Sequence, residues 1–243
     1  MNSGDGTFGI AGRRGAVPLS VEAAVAWPKR PRAHRDPAEV KRKLKLVDEP
    51  HVRPLNDWVR SLNHARTGST ADPESTAPWF DPSGGGVNAR VLFLLEAPGS
   101  RSSASRGSGF ISIDNNDATA ANLYALTQKA GLDRATFALW NIVPWYLPEG
   151  TRTKATKRAD TLEAGPHLES FVELFTDLDR VVTMGTFARE GWEVLRRRSP
   201  GTAALNWTAV PHPSATNLNT RPHHREQILH AMQEAGRLVR ARR

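Results

Sequence analysis

Three polar residues stand at comparable places in this chain. Glu96 lies in LEAPGS (95–100), Asn141 opens NIVPW (141–145), and His212 sits in VPHPSATNLN (210–219). Each ends a short apolar run and leads into a turn containing proline. A carboxylate there can hold or activate a water. A carboxamide both donates and accepts, so it can tell a ring carbonyl from a ring amine. The imidazole is held between Pro211 and Pro213. Plainer roles exist for all three: a solvated turn glutamate, a turn-capping asparagine and a structural histidine. The loop 100–116 carries Arg101 and Arg106, and Phe110 is its one large aromatic. That ring can stack on a base or anchor the loop to the core. Ser214, Ala215, Thr216 and Asn217 can meet phosphates through hydroxyl and backbone N–H groups. Leu218 is either a wedge into a base stack or an ordinary loop leucine.

These residues need elements to position them. Residues 90–95, 136–141, 180–184 and 206–210 are short apolar runs and read as strands. Helical spacing is found over 117–130, 161–178, 186–197 and 225–239. Strands alternating with helices predict a three-layer α/β/α fold with a central four-stranded parallel sheet. Ligands bind such sheets at the carboxyl ends of the strands, which is where Glu96, Asn141, Gly185 and His212 fall. The first 88 residues read as a basic, helical, partly flexible extension, and 89–243 as the α/β domain. Within the extension, 1–18 is glycine-rich and reads as mobile. Pro37 after Asp36 marks a helix start, and Leu55, Trp58, Val59 and Leu62 share one helical face. Residues 68–88 read as a linker.

Composition narrows the chemistry. The 243 residues include no cysteine, which excludes disulfides, thiolate nucleophiles, thiolate zinc sites and cysteine-held iron–sulfur clusters. The phosphate cradle, the dinucleotide fingerprint and the GxSxG elbow are all missing, and His223-His224 lacks the spacing of a metal site. No cofactor and no metal are expected. No run approaches the ~18 apolar residues of a membrane span, and residues 1–10 lack a signal pattern, so a cytoplasmic location is expected. The net charge of +8 favours a polyanionic partner, nucleic acid first. The basic residues at 29–45, 196–198, 221, 225, 237, 240, 242 and 243 suit phosphate contacts.

In chain order the set reads strand-EAPG, loop with aromatic, strand-Asn-x-x-Pro, strand-Gly, strand-HPS. It resembles the uracil-DNA glycosylase superfamily over roughly residues 89–235. Within it the chain looks most like the branch whose first motif is GEAPG, which usually carries an iron–sulfur cluster. The resemblance implies a monomeric enzyme that flips uracil out of DNA and hydrolyses its N-glycosidic bond, leaving an abasic site. It places Glu96 on the motif acid, Phe110 on the aromatic that stacks on uracil, and Asn141 on the amide that reads it. His212 falls on the histidine facing uracil O2. Ala97, Pro98 and Gly99 fall on the turn at the base site. Ser100, Arg101, Arg221 and the segment from Ser214 to Leu218 would meet DNA. The chain departs from the pattern in three ways: Leu95 replaces the leading glycine, the cluster cysteines are missing, and Ala97 replaces the aspartate of the GQDPY form. Water activation would then fall to Glu96. Gly99 also offers no bulk against a thymine methyl. Two other readings stay open: a module that binds uracil or abasic sites in DNA without turnover, and a nucleotide-binding α/β enzyme acting on small molecules.

Overall fold

A computed structural model describes residues 27–67, 76–147 and 154–241. The glycine-rich stretch 1–18 and the linker residues 68–75 lie outside the described residues. Asp36 starts α1 (Pro37–Leu44), its carboxylate accepting from the Ala38 N–H at 2.8 Å, with Pro37 in the first turn as expected. After α2 (Arg53–Thr67) comes β1 (Trp79–Phe80), then β2 (Val91–Leu95) and β3 (Phe110–Ile111). Asp117 caps α3 (Ala118–Lys129) through the Ala120 N–H at 2.8 Å. β4 (Phe137–Asn141) and α4 (Lys154–Val172) follow. The chain continues through β5 (Arg180–Met184), α5 (Thr186–Arg198), α6 (Pro200–Ala203) and β6 (Asn206–Val210). It closes with α7 (Ala215–Thr220) and α8 (His223–Ala241).

The four expected strands form one parallel sheet in the order β4-β2-β5-β6. β2 is central, and all five of its residues are buried. Its side chains alternate between two cores, as strand geometry requires. Leu92 and Leu94 face the core under α2, α4 and α5, which holds Trp140 of β4, Phe171 of α4 and Trp192 of α5. Val91, Phe93 and Leu95 face α3 and α8, where Leu123, Leu126, Ile228 and Met232 lie. This is the expected three-layer α/β/α arrangement. Helix α4 ends at Val172 instead of 178, because Thr176 donates to the Val87 carbonyl and Asp179 to that of Arg90, which turns the chain into β5. The segment 68–88 is not wholly linker: β1 pairs in parallel with β3, Trp79 opposite Phe110 and Phe80 opposite Ile111.

Where it is described, the N-terminal region packs into the α/β body. Leu55, Val59 and Leu62 of α2 are buried in the same core as Leu92. Phe80 stacks on Trp140 at 3.7 Å, and Trp58 lies edge-on to Trp140 at 5.9 Å. Two basic stretches correct the sequence reading. Helix α5 leaves the carboxyl end of β5 and runs back, so Arg196–198 finish at the amino ends of the strands. Arg90, just before β2, donates to the Val239 carbonyl, which fixes the end of α8, with Arg237 and Arg240, at that same far edge. These arginines complement helix C-termini on the side away from the strand tips.

Candidate active site

A cavity of about 300 Å³ opens at the carboxyl ends of β2, β4 and β6. Its size suits one small planar ring. Leu95, Ile111, Leu123 and Leu139 give it apolar walls, and Ala97, Pro98, Gly99, Ser100 and Arg101 form its rim. Its polar lining includes Asn141, His212, Ser112, Asn115 and Asp117. Two of the three strand-tip residues therefore meet. Glu96 does not line the cavity; its carbonyl accepts from the Val143 N–H at 2.9 Å, continuing the pairing of β2 with the chain beyond β4.

His212 is fixed from several sides. The Ser214 N–H donates to its Nδ1 at 3.1 Å. Nδ1 is thus the acceptor nitrogen, and the neutral ring carries its proton on Nε2. Asn217 donates from Nδ2 to the His212 carbonyl at 2.8 Å, and its Oδ1 lies 3.0 Å from Nδ1 of His224. Asn122 of α3 donates to the Pro213 carbonyl at 2.9 Å. Gly185 lets β5 approach closely: its φ is +100°, and a Cβ there would stand 3.1 Å from His212 Cβ. A side chain would be strained at that φ and would push on the imidazole.

Asn141 ends β4 opposite Leu95 and is 3% exposed. Its Nδ2 is buried and has no hydrogen-bond partner among the described residues. An unsatisfied buried donor costs about 1–3 kcal/mol. Groups of this kind in native proteins call for an explanation, and a ligand acceptor is one.

Phe110 and Leu218 are not where the resemblance puts them to use. Neighbouring strand residues point to opposite faces, so with Ile111 on the cavity Phe110 turns away. Its ring is fully buried, 5.8 Å from that of His34. Leu218 is 3% exposed and packs with Met184, Val210 and Ile228, so it is a core residue of α7 and not a projecting wedge. Ser214 caps α7, its Oγ accepting from the Asn217 N–H at 3.4 Å. Arg101, on the cavity rim, is exposed, as are Thr216 in α7 and Arg221 just after it, and Gly99 has open space around the place of a Cβ. The rim loop folds on itself: Ser108 N–H donates to the Arg101 carbonyl at 3.0 Å, and a Cβ on Gly107 would stand 2.1 Å from that oxygen.

Sequence reasoning missed what stands behind the cavity wall. Lys43, wholly buried, places its ammonium 2.7 Å from Asp81 and 2.7 Å from Asp114. Arg134 grips Asp114 with two nitrogens, at 3.0 and 2.8 Å, and reaches Asp81 at 3.3 Å. Burial alone would push both carboxyls up, but Lys43 and Arg134 together hold Asp81 well below the usual range and Asp114 below it. For Arg134 burial works the other way, lowering its pKa, yet the two carboxylates leave it raised. His34, Asp81 and Asp114 have metal-like spacing, but the Lys43 ammonium occupies the place a cation would take. Asn115 links this cluster to the cavity with four hydrogen bonds: Oδ1 to His34 Nδ1 (2.8 Å) and Ser108 Oγ (2.6 Å), Nδ2 to Ser102 Oγ (2.9 Å) and the Phe110 carbonyl (2.8 Å).

Fold and site together define an α/β protein with one small cavity at its strand tips, lined by a carboxamide and an imidazole among other groups. Residues 82–233 match the family model of the uracil DNA glycosylase superfamily, and the chain belongs to that superfamily. No curated protein is similar enough to count as a match. No helix among the described residues is long and apolar enough to cross a membrane.

Proposed function

We propose that the protein excises uracil from DNA by hydrolysing the bond between C1′ of deoxyribose and N1 of the base, leaving an abasic site. The observation that carries this reading is the pairing of Asn141, with its unpartnered buried Nδ2, and His212 on one base-sized cavity. Cleavage puts negative charge on the departing base, mostly on O2 and O4. The neutral His212 ring, with its proton on Nε2, donates to O2 as that charge grows. A preorganised donor of this kind contributes about 3–4 kcal/mol to lowering the barrier. Asn141 donates to O4 and accepts from N3–H. Cytosine would present an amine and a bare nitrogen there, mismatched at both positions. Ile111 and Leu139 are apolar walls that offset part of the unstacking of a flipped base. Ser100 and Arg101 on the rim, with the exposed Thr216 and Arg221 that follow the His212 loop, meet the phosphates.

The test is an oligonucleotide with one uracil, incubated with the protein and treated with alkali. Strand breaks at the uracil are expected. His212→Ala and Asn141→Ala should each slow base release at least tenfold with an unchanged melting temperature. Full activity in both would reject the site. The position of Glu96 outside the cavity favours one other reading, a protein that binds uracil or abasic sites without turnover. Tight binding to uracil-containing DNA with no base release would establish it.

A further inference from the structure

The excision reading leaves one step without a residue, because an attacking water must be held and deprotonated near C1′. Asp117 is the one carboxylate among the described residues that line the cavity. It was legible in the sequence only as a helix start, and it does serve as one. Its Oδ1 accepts from the Ala120 N–H at 2.8 Å. Its other oxygen is not needed for the cap. The same cavity holds the buried, unpartnered Nδ2 of Asn141, which independently marks it as a place for a ligand.

Helix α3 links Asp117 to the loop that carries His212, on the same cavity. Five residues on, Asn122 donates to the Pro213 carbonyl, beside His212. At 1.5 Å per residue, Asp117 and Asn122 are about 7–8 Å apart along the axis. The α3 start is thus tied to the loop that holds the O2 donor. In uracil, O2 is next to N1, and N1 carries the sugar, so a group on the His212 side is near C1′. O4, which Asn141 reads, is at the far side of the ring.

We propose, on the footing of the excision reading above, that Asp117 is the catalytic residue that orients and deprotonates the water. The water oxygen forms a bond to C1′ while the C1′–N1 bond breaks. The bonding pair leaves with uracil, which departs as an anion hydrogen-bonded to His212. The water proton passes to the free carboxylate oxygen of Asp117 and then to solvent, which also reprotonates uracil. Nothing is oxidised or reduced, and no further reactant is required.

The cap and the base can be separated by substitution. Asparagine and serine cap helices about as well as aspartate, but neither takes up the proton. Asp117→Asn and Asp117→Ser are compared with the unaltered protein in single-turnover base release. Binding to an oligonucleotide with a non-hydrolysable uracil nucleotide and the melting temperature are measured in parallel. General-base loss is typically worth 10²–10⁴-fold, so both Asp117 variants should be slowed at least about 100-fold. They should keep the melting temperature and bind the oligonucleotide within about threefold of the parent. An Asp117→Asn protein that releases uracil at close to parental rate overturns the assignment of Asp117 and leaves the excision reading standing. Loss of rate only in step with loss of melting temperature overturns it likewise, since Asp117 would then be a cap alone. A parent protein that releases no uracil overturns both.

Discussion

Replacing Lys43 by methionine tests the charged cluster behind the cavity wall. The cluster balances two cations, Lys43 and Arg134, against two carboxylates, Asp81 and Asp114. Side-chain exposures of 0% for Lys43, 8% for Asp81 and 1% for Asp114 keep water from compensating a lost charge. Lys43→Met keeps most of the side-chain volume and leaves two carboxylates facing one guanidinium. Removing one partner of a buried pair destabilises by about 3–5 kcal/mol. In a chain of this size each kcal/mol moves the melting temperature by about 2–4 °C, so a fall of roughly 10 °C at pH 7 is expected by circular dichroism. Lys43→Met with Asp114→Asn restores neutrality, with Arg134 facing Asp81. The double variant should therefore lose clearly less than the sum of the two single losses. A loss under about 1 kcal/mol for Lys43→Met, the range of exposed pairs, would refute the reasoning, as would strict additivity in the double variant.

Two further outcomes follow from the geometry. Gly185→Ala forces a side chain into a φ of +100° against His212. It should cost about 1–3 kcal/mol of stability and slow base release at least tenfold; unchanged melting and rate would show that Gly185 does not set the imidazole. Stability should also fall with acid in two stages. Burial, then the Lys43 charge, hold His34 below its ordinary pKa, and burial does the same for His51. The unfolded chain therefore takes up protons that the folded one refuses, and stability present above about pH 6.5 is lost as the pH drops below it. Asp81 and Asp114 are lowered carboxyls, so their contribution holds until the pH falls below about 3.9. Melting curves from pH 7 to pH 3 should show both stages, and His34→Gln should blunt the first. A flat melting temperature between pH 7 and 5 would contradict this.

The strands were legible because each is a short apolar run closed by turn residues; β5 and β6 fall on the expected residues. Once those strands were in place, the strand-tip rule alone brought Asn141 and His212 together. It did not bring Glu96 into the cavity lining, since a rule about strand ends does not say which way a turn side chain points. Phe110 was misjudged for a related reason. Its direction depends on the parity of β3, a two-residue strand recognisable only through its pairing with β1. Leu218 looked like a loop leucine because nothing local announces α7. Lys43 was illegible in kind: it sits in a run of basic residues that reads as solvated, and its partners Asp81 and Asp114 lie 38 and 71 positions downstream. Asp117 could be read as a cap, but its place on the cavity depends on how α3 docks against the His212 loop.

The separation of Lys43 from its partners bears on how the protein is made. On a ribosome the lysine emerges 71 residues ahead of Asp114 and longer still ahead of Arg134. Helix α2 waits in the same way: Trp58 donates to Ser170, 112 residues on. Until then a nascent chain carries an ammonium without its two buried carboxylate partners and an amphipathic helix without its cover. Contacts so distant in sequence form slowly, and such half-made surfaces are the species that chaperones shelter. Helices α1 and α2 are thus translated early and secured among the last.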